Sequence, residues 1–266
     1  MNICVVGAAG RMGSLIALEI INSSKLNLVG AIEAENSPFL GKDIGDICKC
    51  DKTGINITSN ILDIAKKADI IIDFSGSKGT KANLDNYSKL KKPLVIGSTA
   101  LDDSTVKSLE NMSKNFPLVL SPNMSIGVNL LFKLTEIVAK TLKEGFDIEI
   151  VEAHHNMKKD APSGTAMKLA NIIKDINSLK ENDIIYGRKG DSCVREKNQL
   201  CVHAIRGGDI VGDHTVMFCG LGERLELTHR ASSRNTFVKG AIKAALWIKE
   251  KEPGLYNMYD VLNLNI

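Results

Sequence analysis

Short apolar runs and helical repeats alternate through the first half of the chain. Residues 3–6 read as a buried strand, and residues 11–21 follow with apolar positions at helical spacing. Residues 26–33 predict a second strand, 61–67 a helix, and 69–74 a strand carrying Ile70, Ile71 and Ile72 in a row. A helix over 78–90, a strand over 93–97, a helix over 103–114 and a strand over 117–121 continue the rhythm. Strands that are apolar throughout have no wet face, so the intervening helices must cover both sides of a parallel sheet. The crossovers are expected to be right-handed.

Beyond Asn123 the rhythm changes. Residues 127–142 have helical periodicity. Over 147–152, Ile148 and Ile150 alternate with Asp147 and Glu149, as in a strand with one wet face. A helix is predicted over 163–176, then strands over 199–206, 214–219 and 224–229 with glycines between them. Such a succession predicts an α+β domain with an antiparallel or mixed sheet. Residues 235–250 form an amphipathic helix followed by a short tail, and the polar stretch 177–198 reads as a loop excursion.

Composition narrows the function classes. A chain of 266 residues with 44% apolar residues can bury a sizeable core. The charges nearly cancel, 34 basic against 31 acidic for a net +3, and no long basic run marks a nucleic-acid protein. The six cysteines follow no zinc spacing and no disulfide framework; even Cys48 and Cys50 read as free thiols of a reducing compartment. No signal peptide and no run long enough for a membrane span is read, so a soluble cytoplasmic protein is expected.

The strongest local signal lies between the first strand and the first helix: Gly7-Ala8-Ala9-Gly10-Arg11-Met12-Gly13. Glycines there allow a tight turn and a close approach of backbone to a pyrophosphate, whose charge the helix N-terminus favours. Glu33 ends the second strand, where an acidic side chain accepts from the adenine ribose hydroxyls. Strand, loop, helix, strand and acid together make the first domain a Rossmann-like, doubly wound parallel sheet that binds a dinucleotide. A carboxylate at Glu33 repels a 2′-phosphate, and Ala34 supplies no cation to hold one. NADH is therefore expected to be preferred, with NADPH possible because Arg11 is available to touch a phosphate.

The second signal is the connection Glu152-Ala153-His154-His155-Asn156-Met157-Lys158-Lys159-Asp160-Ala161-Pro162-Ser163-Gly164-Thr165-Ala166, which leaves a strand and enters a helix. Ser163 suits the helix N-cap, and Asp160 reads as a loop-ordering group that bonds its own backbone. The N–H groups of that helix start, with Lys158, would bind a carboxylate. His154 or His155 would move a proton near neutral pH. Paired histidines also occur at metal sites, but no third ligand is evident and no metal is expected.

His154-His155-x-x-Lys158-x-Asp160-Ala161-Pro162-Ser163-Gly164-Thr165-Ala166 resembles the signature of the 4-hydroxy-tetrahydrodipicolinate reductase family, formerly called dihydrodipicolinate reductase. The likeness runs over nearly the whole chain. It includes the glycine loop, Asp73-Phe74-Ser75, Gly97-Ser98-Thr99, the stretch from Pro122 to Asn129, Gly208-Asp209-Ile210-Val211-Gly212-Asp213-His214-Thr215, and the stretch from Gly222 to Arg234.

The resemblance implies an NAD(P)H-dependent reduction of a cyclic dicarboxylate imine, with loss of water, in lysine and diaminopimelate biosynthesis. His154 matches the family's proton donor/acceptor and Lys158 its second proton donor. His155, Gly164 and Thr165 match contacts to the substrate carboxylate, with Ser163 beside them, and Thr99 matches a residue near both substrate and nicotinamide. Gly7, Ala8, Ala9, Gly10, Arg11, Met12, Glu33, Gly97, Ser98, Thr99, Ser121, Pro122, Asn123 and Met124 match the cofactor site. The implied organisation is a dinucleotide-binding domain over 1–124, completed by the C-terminal helix and tail 235–266, and a substrate-binding and oligomerisation domain over 125–234. The family's assembly is a homotetramer, joined through the second domain's sheet. Where the family often has Arg this chain has Ala34, and where some members carry a second Arg it has Gly76; both changes favour NADH, and Asn156 and Met157 stand where basic residues are common.

Two other readings remain open at this point. One is a different Rossmann oxidoreductase acting on an amino-acid-derived aldehyde or imine, though Cys193 and Cys201 lack the surroundings of a nucleophile. The other is an NADH-binding redox sensor without catalysis.

Overall fold

The structure, a computed structural model, describes residues 1–265. In chain order its elements are β1 (Asn2–Val6), α1 (Gly13–Ile21), β2 (Asn27–Ile32), α2 (Ile44–Cys48), α3 (Ile61–Ala65), β3 (Ile70–Asp73), α4 (Gly76–Ala82), α5 (Leu84–Leu90), β4 (Leu94–Ile96), α6 (Asp103–Met112) and β5 (Pro117–Leu120). There follow α7 (Ile126–Thr141), β6 (Asp147–His154), α8 (Gly164–Asn177), β7 (Ile184–Ile185), β8 (Leu200–Arg206), β9 (Gly212–Cys219) and β10 (Arg224–Ala231). Last come α9 (Asn235–Ile248), β11 (Gly254–Tyr256) and α10 (Met258–Val261). The chain divides into two compact units, one of Met1–Ile126 with the chain from Asn235 onward, the other of Gly127–Arg234. No helix of the described residues is long and apolar enough to cross a membrane.

The first unit is built on a six-stranded sheet in the order β11-β5-β4-β3-β1-β2, parallel throughout. Alternate residues of each strand enter different cores, as the period of two requires. Ile3, Val5, Ile70 and Ile72 join one core with α1 and α9, while Cys4, Val6 and Ile71 join the other with Tyr87 and Leu109. Burying each such side chain stabilises the fold by about 1.5–3 kcal/mol, which explains why the strand sequences are apolar on both parities. Gly240 lets α9 come close to the chain beyond β5: a Cβ there would lie 1.7 Å from the Met124 carbonyl oxygen.

The second unit holds a mixed sheet in the order β10-β9-β6-β8-β7. Its central strand β6 runs parallel to β8 and antiparallel to β9, and α8 packs across all three. Ile148, Ile150 and Glu152 share the buried parity of β6, so a carboxylate stands in a row of core positions.

Three expectations need correction. The helix expected over 78–90 is two helices, broken at Asn83, whose side-chain amide donates to the Gly79 carbonyl at 3.0 Å and competes with the helical ladder. The stretch 177–198 is not only loop: a 3-10 turn at Glu181–Asp183 leads into β7, which pairs in parallel with β8 through Ile184 and Leu200. The tail after α9 also carries structure, because β11 extends the first sheet beside β5 and α10 follows it.

Candidate functional site

In the first unit the expected cofactor residues gather at the carboxyl ends of adjacent parallel strands. Gly7 follows β1, Glu33 follows β2, Gly97-Ser98-Thr99 follow β4, and Ser121 to Met124 follow β5. The strand order reverses direction at β1, between β2 and β3, and the crevice at such a switch point is where doubly wound sheets bind nucleotides.

The glycine loop fits a dinucleotide for steric reasons. Gly7 has φ +77°, and a Cβ on it would lie 2.7 Å from Ser75 Cα; a Cβ on Gly13 would lie 1.9 Å from the Gly7 carbonyl oxygen. No larger residue fits either position, and the loop turns tightly into α1. Gly10 N–H donates to the Gly7 carbonyl at 3.0 Å, while among the described residues the Arg11 and Met12 N–H groups meet no acceptor, as a phosphate cradle requires. The Glu33 Oε1 accepts from Ala9 N–H at 2.8 Å, which fixes the acid beside the loop. Arg11 and Ala34 are both exposed.

Asp73, at the end of β3, braces these loops. Its buried carboxyl takes Ser75 N–H at 2.7 Å, Ser75 Oγ at 2.6 Å, Thr80 Oγ1 at 2.7 Å and Tyr87 OH at 2.9 Å, and burial pushes its pKa up. Thr80 Oγ1 is also 2.9 Å from Ser98 Oγ, which accepts from Gly76 N–H at 2.9 Å. The chain after β3 is thereby tied to the chain after β4, leaving Thr99 exposed.

The second constellation sits at the end of β6 in the other unit. His154 Nδ1 is 2.7 Å from Glu152 Oε2, two residues earlier on the same strand face. Glu152 is 0% exposed, and Arg206 of β8 grips it with two bonds of 2.8 Å, one to each oxygen. Ser163 N–H completes the shell at 2.9 Å on Oε1. Burial alone would raise the Glu152 pKa, but Arg206, His154 and the Ser163 N–H outweigh it and hold the carboxyl below its usual range. Burial, the largest influence, lowers the His154 pKa and Lys158 and Arg206 add to it; Glu152 raises it, and the net shift is downward.

The loop from His155 to Pro162 brings the other expected groups to this place. Lys158 Nζ donates to Asp160 Oδ1 at 2.8 Å, so Asp160, read as a loop-ordering group, also anchors the lysine. Arg206 holds the same loop through the Asp160 carbonyl at 2.7 Å, and Asn156 N–H donates to the Gly208 carbonyl at 3.2 Å. Ser163 is the N-cap of α8, its Oγ accepting from Ala166 N–H at 3.2 Å. That hydroxyl is buried and lies 3.0 Å from His214 Nε2, while Gly164 at the first helical position is exposed. His155 is partly buried in the same loop. A helix start, an ammonium and a carboxylate-backed imidazole thus converge in one stretch, able to hold an anion and exchange a proton with it.

Glu152, Arg206 and His214 escaped the reading of the sequence as functional groups. The His214 ring meets that of His154 edge-on, with centroids 5.2 Å apart. Away from this place, Glu149, Cys201 and His203 offer atoms within 4.8 Å of one another. Arg188 and His203 already occupy the Glu149 oxygens and Arg195 Nε is 3.4 Å away, a surrounding that opposes a cation.

Known proteins resemble the chain along its length. Residues 1–124 match the family described as dihydrodipicolinate reductase, N-terminus, and residues 127–262 match dihydrodipicolinate reductase, C-terminus. The 4-hydroxy-tetrahydrodipicolinate reductase of Aquifex aeolicus is 47% identical over 269 residues, covering 99% of each chain. That of Syntrophotalea carbinolica is 43% identical over 265 residues, with the same coverage. The solved structure of dipicolinate-bound dihydrodipicolinate reductase from Paenisporosarcina sp. TG-14 shares the fold, with a TM-score of 0.74 at 21% identity and 98% of both chains covered. Both halves of the chain, with the glycine loop in one and the histidine loop in the other, belong to the dihydrodipicolinate reductase family.

Proposed function

We propose that the protein reduces 4-hydroxy-tetrahydrodipicolinate to tetrahydrodipicolinate with loss of water, a step of lysine and diaminopimelate biosynthesis. The observation that carries this reading is the convergence at one loop of His154 backed by Glu152, Lys158, and the exposed start of α8. Family membership supplies the reaction; these groups supply its requirements.

The substrate is a small cyclic dicarboxylate. Gly164 and Thr165 bind one carboxylate at the start of α8, Ser163 holding that start in shape through its cap, and His155 adds a further contact. Lys158 adds a cation that leaves Asp160 for the substrate. The C4 hydroxyl first leaves as water with a proton from C5, giving a C4=C5 bond conjugated with the ring imine; a reduced nicotinamide, when bound, would supply a hydride to C4. The electron-rich enamine that results must take a proton at the neighbouring carbon, C5. His154 gives that proton, and Lys158 serves as the second donor.

Gly7, Ala8, Ala9, Gly10, Arg11 and Met12 hold the pyrophosphate, Glu33 the adenine ribose, and Gly97, Ser98, Thr99 and Ser121 to Met124 the nicotinamide end, Thr99 also serving the substrate. NADH is preferred over NADPH, since Glu33 repels a 2′-phosphate and exposed Ala34 offers nothing to hold it. The active form is a homotetramer joined through the sheet of Gly127–Arg234. It works in the cytoplasm, in keeping with the six free cysteines.

Deuterium tracing tests the reaction. With NADH dideuterated at the nicotinamide C4, the label should appear at C4 of tetrahydrodipicolinate by mass spectrometry; unlabelled product or none would refute the assignment.

A further inference from the structure

Building on His154 as the proton-transfer group, we propose that Glu152 is a positioning residue. It holds His154 with its N–H at Nδ1, so that Nε2 is the atom that exchanges protons with the substrate, and Arg206 fixes Glu152 for that task.

The case begins with the donors around the carboxylate. Glu152 Oε1 accepts from Ser163 N–H at 2.9 Å and from Arg206 at 2.8 Å; Oε2 takes Arg206 at 2.8 Å and faces His154 Nδ1 at 2.7 Å. An ionised carboxylate only accepts. With a bidentate arginine on it, Glu152 remains ionised, and the histidine nitrogen facing it must carry the hydrogen. The neutral imidazole then has its lone pair at Nε2.

The surroundings of Nε2 agree with that role. Among the described residues nothing bonds to it, although the ring is nearly enclosed, its side chain 12% exposed. The space beside it exists because residue 212 is glycine: a Cβ there would lie 3.0 Å from Nε2 and 3.4 Å from Cδ2. One ring nitrogen is therefore tethered and the other is left open.

Charge explains why the tether must be an anion. The groups facing His154 are Glu152 on its own strand, Arg206 on β8, His214 on β9, and Lys158 in the following loop. Burial, Lys158 and Arg206 all disfavour an imidazolium, and Glu152 alone among these groups favours it. Without that carboxylate the ring would lose its fixed tautomer and much of its capacity to take up the proton it must give. Sheet register makes the arrangement rigid, since His154 pairs with Arg206 across β6 and β8 while Glu152 pairs with His214 across β6 and β9.

Solid-state nitrogen-15 NMR of histidine-labelled protein tests the tether in the wild type. The signal missing from His154→Gln identifies the ring among the five histidines. Above its pKa it should show the hydrogen on Nδ1; a hydrogen on Nε2 would overturn the proposal, whatever the kinetics. In Glu152→Gln the tautomer should become mixed, kcat should fall by roughly 10²-fold, and the alkaline limb of the pH profile, where the donor loses its proton, should move to lower pH. KM for NADH should stay within about 2-fold, since none of the residues proposed to hold the cofactor is changed. Glu152→Asp, which keeps the charge, should recover part of the rate. A folded Glu152→Gln enzyme with wild-type kcat and an unmoved pH profile would refute the positioning role. Unchanged turnover in His154→Gln would instead refute His154 as the proton-transfer group, a separate result that the tautomer measurement does not depend on.

Discussion

His154 Nδ1 stands 2.7 Å from Glu152 Oε2, a hydrogen bond between two residues of one strand whose carboxylate is otherwise closed by Arg206 and the Ser163 N–H. A histidine so held is suited to one direction of proton exchange. His154→Gln should lower kcat by roughly 10²–10⁴-fold, the usual contribution of a positioned acid–base group. NADH affinity, followed by fluorescence titration, should not change. Wild-type turnover in this variant would remove His154 from catalysis.

Lys158 is held 2.8 Å from Asp160 Oδ1, with its side chain 20% exposed, so its charge is present at the loop before substrate arrives. Lys158→Met should raise KM for the dicarboxylate and lower kcat together, if the cation serves both the binding and the proton supply proposed for it. Steady-state kinetics that move neither constant would sink the assignment.

The proposed preference for NADH rests on the residues beyond β2. Ala34→Arg places a cation beside Glu33, where a 2′-phosphate would lie. The ratio of kcat/KM for NADPH to that for NADH should rise by roughly 10-fold or more, the worth of one charge-assisted contact. An unchanged ratio would mean that the phosphate is sensed elsewhere.

His214 gives the second unit a pH-dependent stability. It is 4% exposed, and burial first, then the neighbouring His154, lower its pKa to about 4. In the unfolded chain the group titrates near 6.5, so the unfolded state binds more protons between the two values. The stability that comes from keeping His214 neutral is present above about pH 6.5 and is lost as pH falls to about 4, on the order of 3 kcal/mol in all. His214→Gln should flatten this part of the curve when urea denaturation is compared at neutral and mildly acid pH. An identical slope in both proteins would contradict the buried neutral imidazole.

Much of this molecule is legible in its sequence, and what is not has physical causes. The strands of the first sheet stand out because both parities are apolar, as at Ile70, Ile71 and Ile72. β7 and β11 do not, since strands of two and three residues are defined by their partners rather than by their own pattern. The break at Asn83 depends on where one side-chain amide finds a carbonyl. His154, Lys158 and the Ser163 cap can be read from one stretch of sequence. Glu152 announced itself only by parity: it follows Ile148 and Ile150 onto the buried side of β6, where a charge needs a partner. That partner, Arg206, is 54 residues further along and is brought to it only by the pairing of β6 with β8.

The most direct test of the reductase assignment is turnover on the substrate itself. The unstable hydroxy-tetrahydrodipicolinate would be generated by a coupled synthase and the nicotinamide absorbance followed, with NADH and NADPH in parallel. The account predicts oxidation that depends on the synthase product and a higher kcat/KM with NADH. No oxidation with either cofactor, in folded protein shown to bind NADH, would contradict it and leave a nucleotide-binding sensor as the better description.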